Sequence, residues 1–140
     1  MDQKVIGRSG KTVSAVALGS SPFGREIGDD DTRRVLDYAV EKGITFLDLS
    51  EGPQRGSTEY VVGEWMKERG IRDELTICTK ISQGGGVSYN IPRALAGSLD
   101  RLQTDRIDVW KMHSPDPNTP IDETLGAMSE QVRAGLAAME

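Results

Sequence analysis

Ile107-Asp108-Val109-Trp110-Lys111-Met112-His113, followed at once by Ser114-Pro115-Asp116-Pro117, decides the fold. An apolar, β-prone run that closes on a histidine and a proline-rich turn reads as a buried strand. Its last side chain is delivered to a loop-rich rim. Two earlier stretches repeat the design: Ile44-Thr45-Phe46-Leu47-Asp48 and Leu75-Thr76-Ile77-Cys78-Thr79-Lys80. Each ends in an ionisable residue, so Asp48, Lys80 and His113 are expected side by side at one end of a sheet. Side chains alternate along a strand, which places Ile107, Val109, Lys111 and His113 on the face shared by Ile44, Phe46, Asp48, Thr76, Cys78 and Lys80. Asp108, Trp110 and Met112 face the opposite way.

The segments between these strands carry helical signals. Asp29 to Asp31 cap a helix running to about Lys42, with Val35, Leu36, Ala39 and Val40 on its buried stripe and Gly43 just past its end. A second helix spans Ser57 to about Arg69 before Gly70. A third starts near Asn90, with Pro92 in its first turn, and reaches about Leu102. Thr119 caps a fourth, with Pro120 at its first position and Glu123 reaching back, ending near Arg133 before Gly135. Upstream, Val13 to Gly19 reads as the first inner strand, with Ala15, Ala17 and Gly19 on one face and Val16 and Leu18 on the other. Residues 4–12 read as a hairpin turning at Arg8-Ser9-Gly10.

Gly10-Lys11-Thr12 invites a phosphate-loop reading, which fails because Val5 stands where that motif needs glycine and a strand follows instead of a helix. Gly84-Gly85-Gly86 reads as a flexible connector in preference to an anion cradle. The chain is therefore a hairpin followed by four strand–helix units of roughly 30 residues each, the alternation that gives parallel strands with right-handed crossovers. An open doubly wound sheet and half of a (β/α)8 barrel both fit. No G-x-G-x-x-G fingerprint follows any strand, which weakens the dinucleotide-fold reading.

Composition narrows the function classes. The 140 residues fit one domain, residues 1–140, and carry a formal charge of −5, which argues against a polyanion such as nucleic acid as partner. A single cysteine, Cys78, leaves neither a disulfide framework nor a cysteine zinc cluster. No apolar run long enough to span a membrane and no signal-peptide core is present, so a cytoplasmic protein is the default expectation.

Several stretches resemble, in order and at matching spacing, the N-terminal half of the aldo-keto reductases, NAD(P)H-dependent (β/α)8-barrel carbonyl reductases. They are Gly7-Arg8-Ser9-Gly10, Leu18-Gly19 with Phe23-Gly24, Gly43 to Asp48, Gly56-Ser57-Thr58-Glu59, Arg72-Asp73-Glu74-Leu75 and Thr79-Lys80. The likeness continues through Ser98 to Asp105, His113-Ser114-Pro115-Asp116 and Thr119 to Leu125, and covers residues 4 to about 135. It implies a half-barrel fold and carries three of the family's four catalytic positions onto Asp48, Lys80 and His113. The fourth, a tyrosine five residues after the aspartate that protonates the carbonyl oxygen, falls on Pro53, which has no proton to give. Tyr60 and Tyr89 are the loop-side residues that would have to replace it.

The resemblance also implies that most contacts to the cofactor belong to strands five to eight, beyond the matching half. No cofactor is therefore expected for the isolated chain, and NADP(H) only if a partner completes the barrel; no metal is expected. Parallel sheets are normally covered on both faces, and unpaired edges invite another chain. The expectation is a homodimer in which strand one of one copy pairs with strand four of the other, or a hetero-oligomer with a larger enzyme over the open face. Three functions follow as expectations. One is an accessory protein or pseudoenzyme without redox chemistry. The second is a non-redox enzyme using Lys80 and His113 for proton transfer on a carbonyl or imine. The third is a reductase completed by its partner. Inward-facing Lys111 needs a counter-charge or water.

Overall fold

A computed structural model of the chain describes residues 1–7, 9–51, 57–81 and 90–137. Pro53, Tyr89, Arg8 and the Gly84–Gly86 connector lie outside the described residues. The chain opens with an antiparallel hairpin of β1 (Gln3–Val5) and β2 (Thr12–Ser14). Then follow β3 (Ala17–Gly19), α1 (Asp29–Glu41), β4 (Phe46–Asp48), α2 (Ser57–Arg69), a short 3-10 turn at Arg72–Glu74, β5 (Thr76–Ile81), α3 (Asn90–Leu102), β6 (Val109–Met112) and α4 (Ile121–Arg133). Strands β3, β4, β5 and β6 form one parallel sheet in that order. A doubly wound sheet reverses its strand order part-way, and this one does not. Successive helices pack on one another, α1 on α2, α2 on α3 and α3 on α4, so they make one layer over one face of the sheet.

The core fills the space between that face and the helices. Leu47, Leu49, Ile77 and Trp110 from the sheet side meet Leu36, Val62, Trp65, Ile91, Leu95 and Leu102 from the helices, all essentially sealed from water. Helices α2 and α3 approach closely because position 63 is glycine: a Cβ there would stand 2.3 Å from the Arg101 carbonyl oxygen. Helix ends follow their glycines. Gly43 has φ +78°, its N–H donates to Val40 O, and Ile44 N–H reaches back to Ala39 O, the paired bonds that close a helix C-terminus.

Four local expectations are corrected. Val13 to Gly19 is not one strand, because Ser14 breaks it. The Ser14 hydroxyl donates to Val16 O at 2.8 Å and accepts from the N–H groups of Thr45 and Phe46 at 3.1 Å each, standing in for a backbone partner at the start of β4. Residues Thr12–Ser14 therefore belong to the hairpin and only Ala17–Gly19 to the sheet. Val35 is exposed; the stripe of α1 runs through Thr32, Leu36 and Ala39, with a threonine where periodicity looked for an apolar residue. Asp29 to Asp31 occupy the first turn of α1, with Gly28 as its cap, where their charge complements the helix dipole. Thr119 does not cap α4, whose N-cap is Pro120: the Thr119 hydroxyl donates to Asp116 Oδ2 at 3.0 Å and serves the preceding turn.

The sheet is prolonged beyond β6. Ala137 forms a parallel bridge with Ile107, whose N–H donates to Leu136 O at 3.1 Å, so the residues after α4 enter a fifth strand position. The homodimer expected above, with β6 of one copy pairing β3 of another, must therefore accommodate this segment at the start of the β6 edge. Among the described residues no helix is long and apolar enough to cross a membrane.

Candidate active site

The strand register sets the site. Gly19 pairs with Asp48 and Asp48 with Cys78; Cys78 pairs with Val109, and Lys80 with Lys111. Partners in a parallel ladder point to the same face, here the one turned away from the helices. At the C-terminal end of that face Asp48 and Lys80 meet, Nζ to Oδ1 at 2.7 Å. A second Lys80 proton goes to the Leu49 carbonyl at 2.9 Å. Lys111 reaches the same Asp48 oxygen at 3.8 Å, an ion pair without hydrogen-bond distance. The counter-charge that an inward lysine required is thus a carboxylate shared with Lys80.

Burial works to raise the pKa of Asp48, but hydrogen bonds from Lys80 and the Cys78 thiol, with the charges of Lys80 and Lys111, outweigh it and hold the carboxyl below its ordinary value. Asp48 is an anion at neutral pH. Cys78 responds in the opposite sense: burial, then the neighbouring carboxylate, push its thiol up to about 11. It is a proton donor to Asp48 and no nucleophile.

Asp48, Lys80 and His113 line one cavity of about 330 Å³ with Gly19, Phe23 and Ser57. His113 is brought to that cavity by its backbone N–H, which donates to Ile81 O at 3.0 Å and extends the β5–β6 ladder. Among the described residues its ring makes no hydrogen bond to Asp48 or Lys80. Two of the three expected residues are therefore in contact and the third lines the same cavity. Tyr60, one of two candidate replacements for the missing phenol, is half exposed on α2 and does not line it.

Two buried carboxylates were not singled out from the sequence. Glu59 is fully buried; it accepts from Thr79 Oγ1 at 2.6 Å and from Arg101 Nε at 2.7 Å, joining α2, β5 and α3 behind the site. Its signal was present: Glu59 begins the stripe continued by Val62 and Met66 at helical spacing, so a charge sits on an apolar face. Asp108, expected to face the helices, is buried near the far end of the sheet. It accepts from Ile77 N–H at 2.8 Å and pairs with Arg72 at 2.9 Å and with Lys11 of the hairpin. Nothing local announces that partner, 97 residues away in sequence.

A sequential parallel sheet, one helix layer, and an Asp–Lys pair with a histidine at the strand ends meet here what the aldo/keto reductase family model matches over residues 15–139. The chain belongs to the aldo/keto reductase family. The Uncharacterized oxidoreductase YrpG of Bacillus subtilis (strain 168) is 36% identical over 96% of this chain and 47% of its own length. The thermostable aldo-keto reductase Tm1743, solved with the inhibitor epalrestat, superposes with a TM-score of 0.91 at 32% identity, over 99% of this chain and 53% of that one. The aldo-keto reductase AKR11C1 of Bacillus halodurans, in its holo form, gives 0.88 at 31% identity, covering 98% and 48%. The chain spans about half the length of these relatives, and its fold is a partial (β/α)8 barrel.

The family uses NADP(H), and the described residues do not fit that dinucleotide as a whole. A pyrophosphate needs unpaired cations or a cradle of backbone amides. Of the cations lining the cavity, Lys80 is bound to Asp48, and Arg25 donates from Nε to Glu26 at 2.9 Å.

Proposed function

We propose that this chain, as these residues, is an aldo/keto reductase relative that binds a small carbonyl or imine compound at the Asp48–Lys80–His113 end of its sheet without reducing it. It acts as an accessory protein or pseudoenzyme in small-molecule metabolism, and NADP(H) chemistry needs cofactor contacts from outside these residues, such as a second chain would supply. One juxtaposition supports this most. Lys80 is held by Asp48 and Leu49 O in a cavity that His113 also lines, an arrangement suited to a carbonyl oxygen, while Pro53 stands five residues after Asp48 and offers no proton for that oxygen. General acid catalysis needs a donor within hydrogen-bond reach of the oxygen that receives the proton. Purified chain mixed with NADPH and simple aldehydes is expected to leave NADPH absorbance unchanged and to bind NADPH weakly by fluorescence. Steady oxidation at the rates of full-length relatives would overturn the proposal.

A second reading, proton transfer on a carbonyl or imine without redox chemistry, draws on the same ammonium, because Lys80 is a fixed donor facing the cavity. Cofactor-free turnover abolished by Lys80→Ala would select it over the first.

A further inference from the structure

Lys111, next to the cavity without lining it, is a charged side chain that the proposed function leaves unused. Its place follows from register. Lys80 and Lys111 are direct partners on neighbouring parallel strands, so their side chains leave the same face at the strand spacing of about 4.8 Å. Both ammonium groups approach a single oxygen, Asp48 Oδ1, at 2.7 Å and 3.8 Å. Lys80 also spends a proton on Leu49 O, whereas Lys111 keeps 42% of its side chain exposed. Around the adjoining cavity Arg25 pairs with Glu26, and Arg101 is shared by Glu51 at 3.7 Å and the buried Glu59 at 2.7 Å. Lys80 and Lys111 are therefore two cations that share one carboxylate, that of Asp48. An inward cation that is half served by a shared carboxylate is poised to take a second anion.

We infer that Lys111 makes the site selective for carbonyl compounds bearing an adjacent carboxylate, the 2-oxo acids. Resting on the carbonyl-site reading above, the arrangement directs the keto oxygen to Lys80 and His113 and the carboxylate to Lys111. Two groups one bond apart suit two donors one strand apart. A neutral ketone or aldehyde gains nothing from the second lysine.

Cofactor-free titration of the whole chain by calorimetry, with pyruvate, methyl pyruvate and inorganic phosphate as probes, tests this. Pyruvate is expected to bind up to about fivefold more tightly than its methyl ester, the scale of one partly exposed ion pair. Lys111→Gln should bring the two within about twofold of each other, and Lys111→Arg should keep the preference. Equal affinities in the unaltered chain, or a preference undiminished in Lys111→Gln, would overturn the role of Lys111. Phosphate binding as tightly as pyruvate would overturn the 2-oxo acid class in favour of a general oxyanion site. Failure of both carbonyl probes to bind sinks the carbonyl-site reading itself, whereas ester binding without acid preference sinks only the present inference. Should Lys111→Gln lose its circular dichroism signal, the unaltered chain decides by NMR. Side-chain resonances of Lys111 must shift with pyruvate and not with the ester, and their indifference to pyruvate would be disproof.

Discussion

Asp48 of β4 and Lys80 of β5 hold one another at 2.7 Å, and the carboxyl keeps a pKa below its ordinary value despite burial. A depressed folded pKa has a definite sign. As acid is added, the unfolded chain takes up the proton first, so the stability from this group is complete above the unfolded value of about 3.9 and is lost as pH falls through the folded value. Asp48→Asn is expected to cost about 1 kcal/mol at neutral pH, the scale of a partly exposed pair. That difference should shrink steadily below about pH 4, as read by urea denaturation at several pH values. A gap that stays constant into strong acid would show that the asparagine acts through packing.

The same reasoning applies more strongly at Asp108. Burial opposes its ionisation, but the Ile77 N–H, the hydrogen bond from Lys11 and the charge of Arg72 hold its pKa down. Arg72 is itself largely buried, so removing the carboxylate charge leaves a cation stranded in the interior. Asp108→Asn is expected to destabilise the chain by about 3 kcal/mol at neutral pH. Loss of stability in acid should be steeper for the unaltered chain than for the variant. Equal stability of the two proteins at neutral pH would mean that water, not Asp108, balances Arg72.

Where the sequence could be read and where it could not has a physical pattern. Helix α2 runs from Ser57 to Arg69, and α3 from Asn90 to Leu102, where Gly70 and Pro92 lead one to expect them, because those signals are local. Asp48, Lys80 and His113 are expected at one sheet end because three similar strands end on them, and all three line one cavity there. What escaped were contacts between distant residues. Ser14 ends its strand because its hydroxyl serves Thr45 and Phe46, Thr119 turns away from α4 to serve Asp116, and Asp108 waits for Lys11. Each is a side chain replacing a backbone partner or a charge finding its mate, and neither leaves a periodic trace.

Gly63 and Gly126, both inside helices, are expected to respond oppositely to alanine. Alanine is the better helix former by about 1 kcal/mol. At Gly126 a Cβ meets nothing within 4 Å, so Gly126→Ala should stabilise the chain by about 0.5–1 kcal/mol. At Gly63 the new carbon would press on the backbone of Arg101 and Leu102 at 2.3 Å and 2.7 Å, and α3 cannot yield as a flexible side chain would. Gly63→Ala should therefore destabilise by about 1–3 kcal/mol, the clash overcoming the propensity gain. Thermal melts of the two variants provide the check, and a Gly63→Ala protein as stable as the parent would refute the close packing of α2 on α3.

Cys78 supplies a measure of how tightly the sheet is closed beneath the site. Its side chain is sealed from solvent, and its thiol, raised to about 11, is ionised to the order of one part in a thousand near pH 8. Only the thiolate attacks an alkylating reagent, so the folded chain is doubly protected, by burial and by the adjacent Asp48 carboxylate. Iodoacetamide labelling followed by mass spectrometry is expected to be slow without denaturant. Its rate should then rise with urea in step with the unfolded fraction measured by circular dichroism, since reaction requires β5 to come away from its neighbours. Fast, complete labelling in the absence of urea would show that the open face of the sheet admits solvent to Cys78, and with it to the Asp48–Lys80 pair.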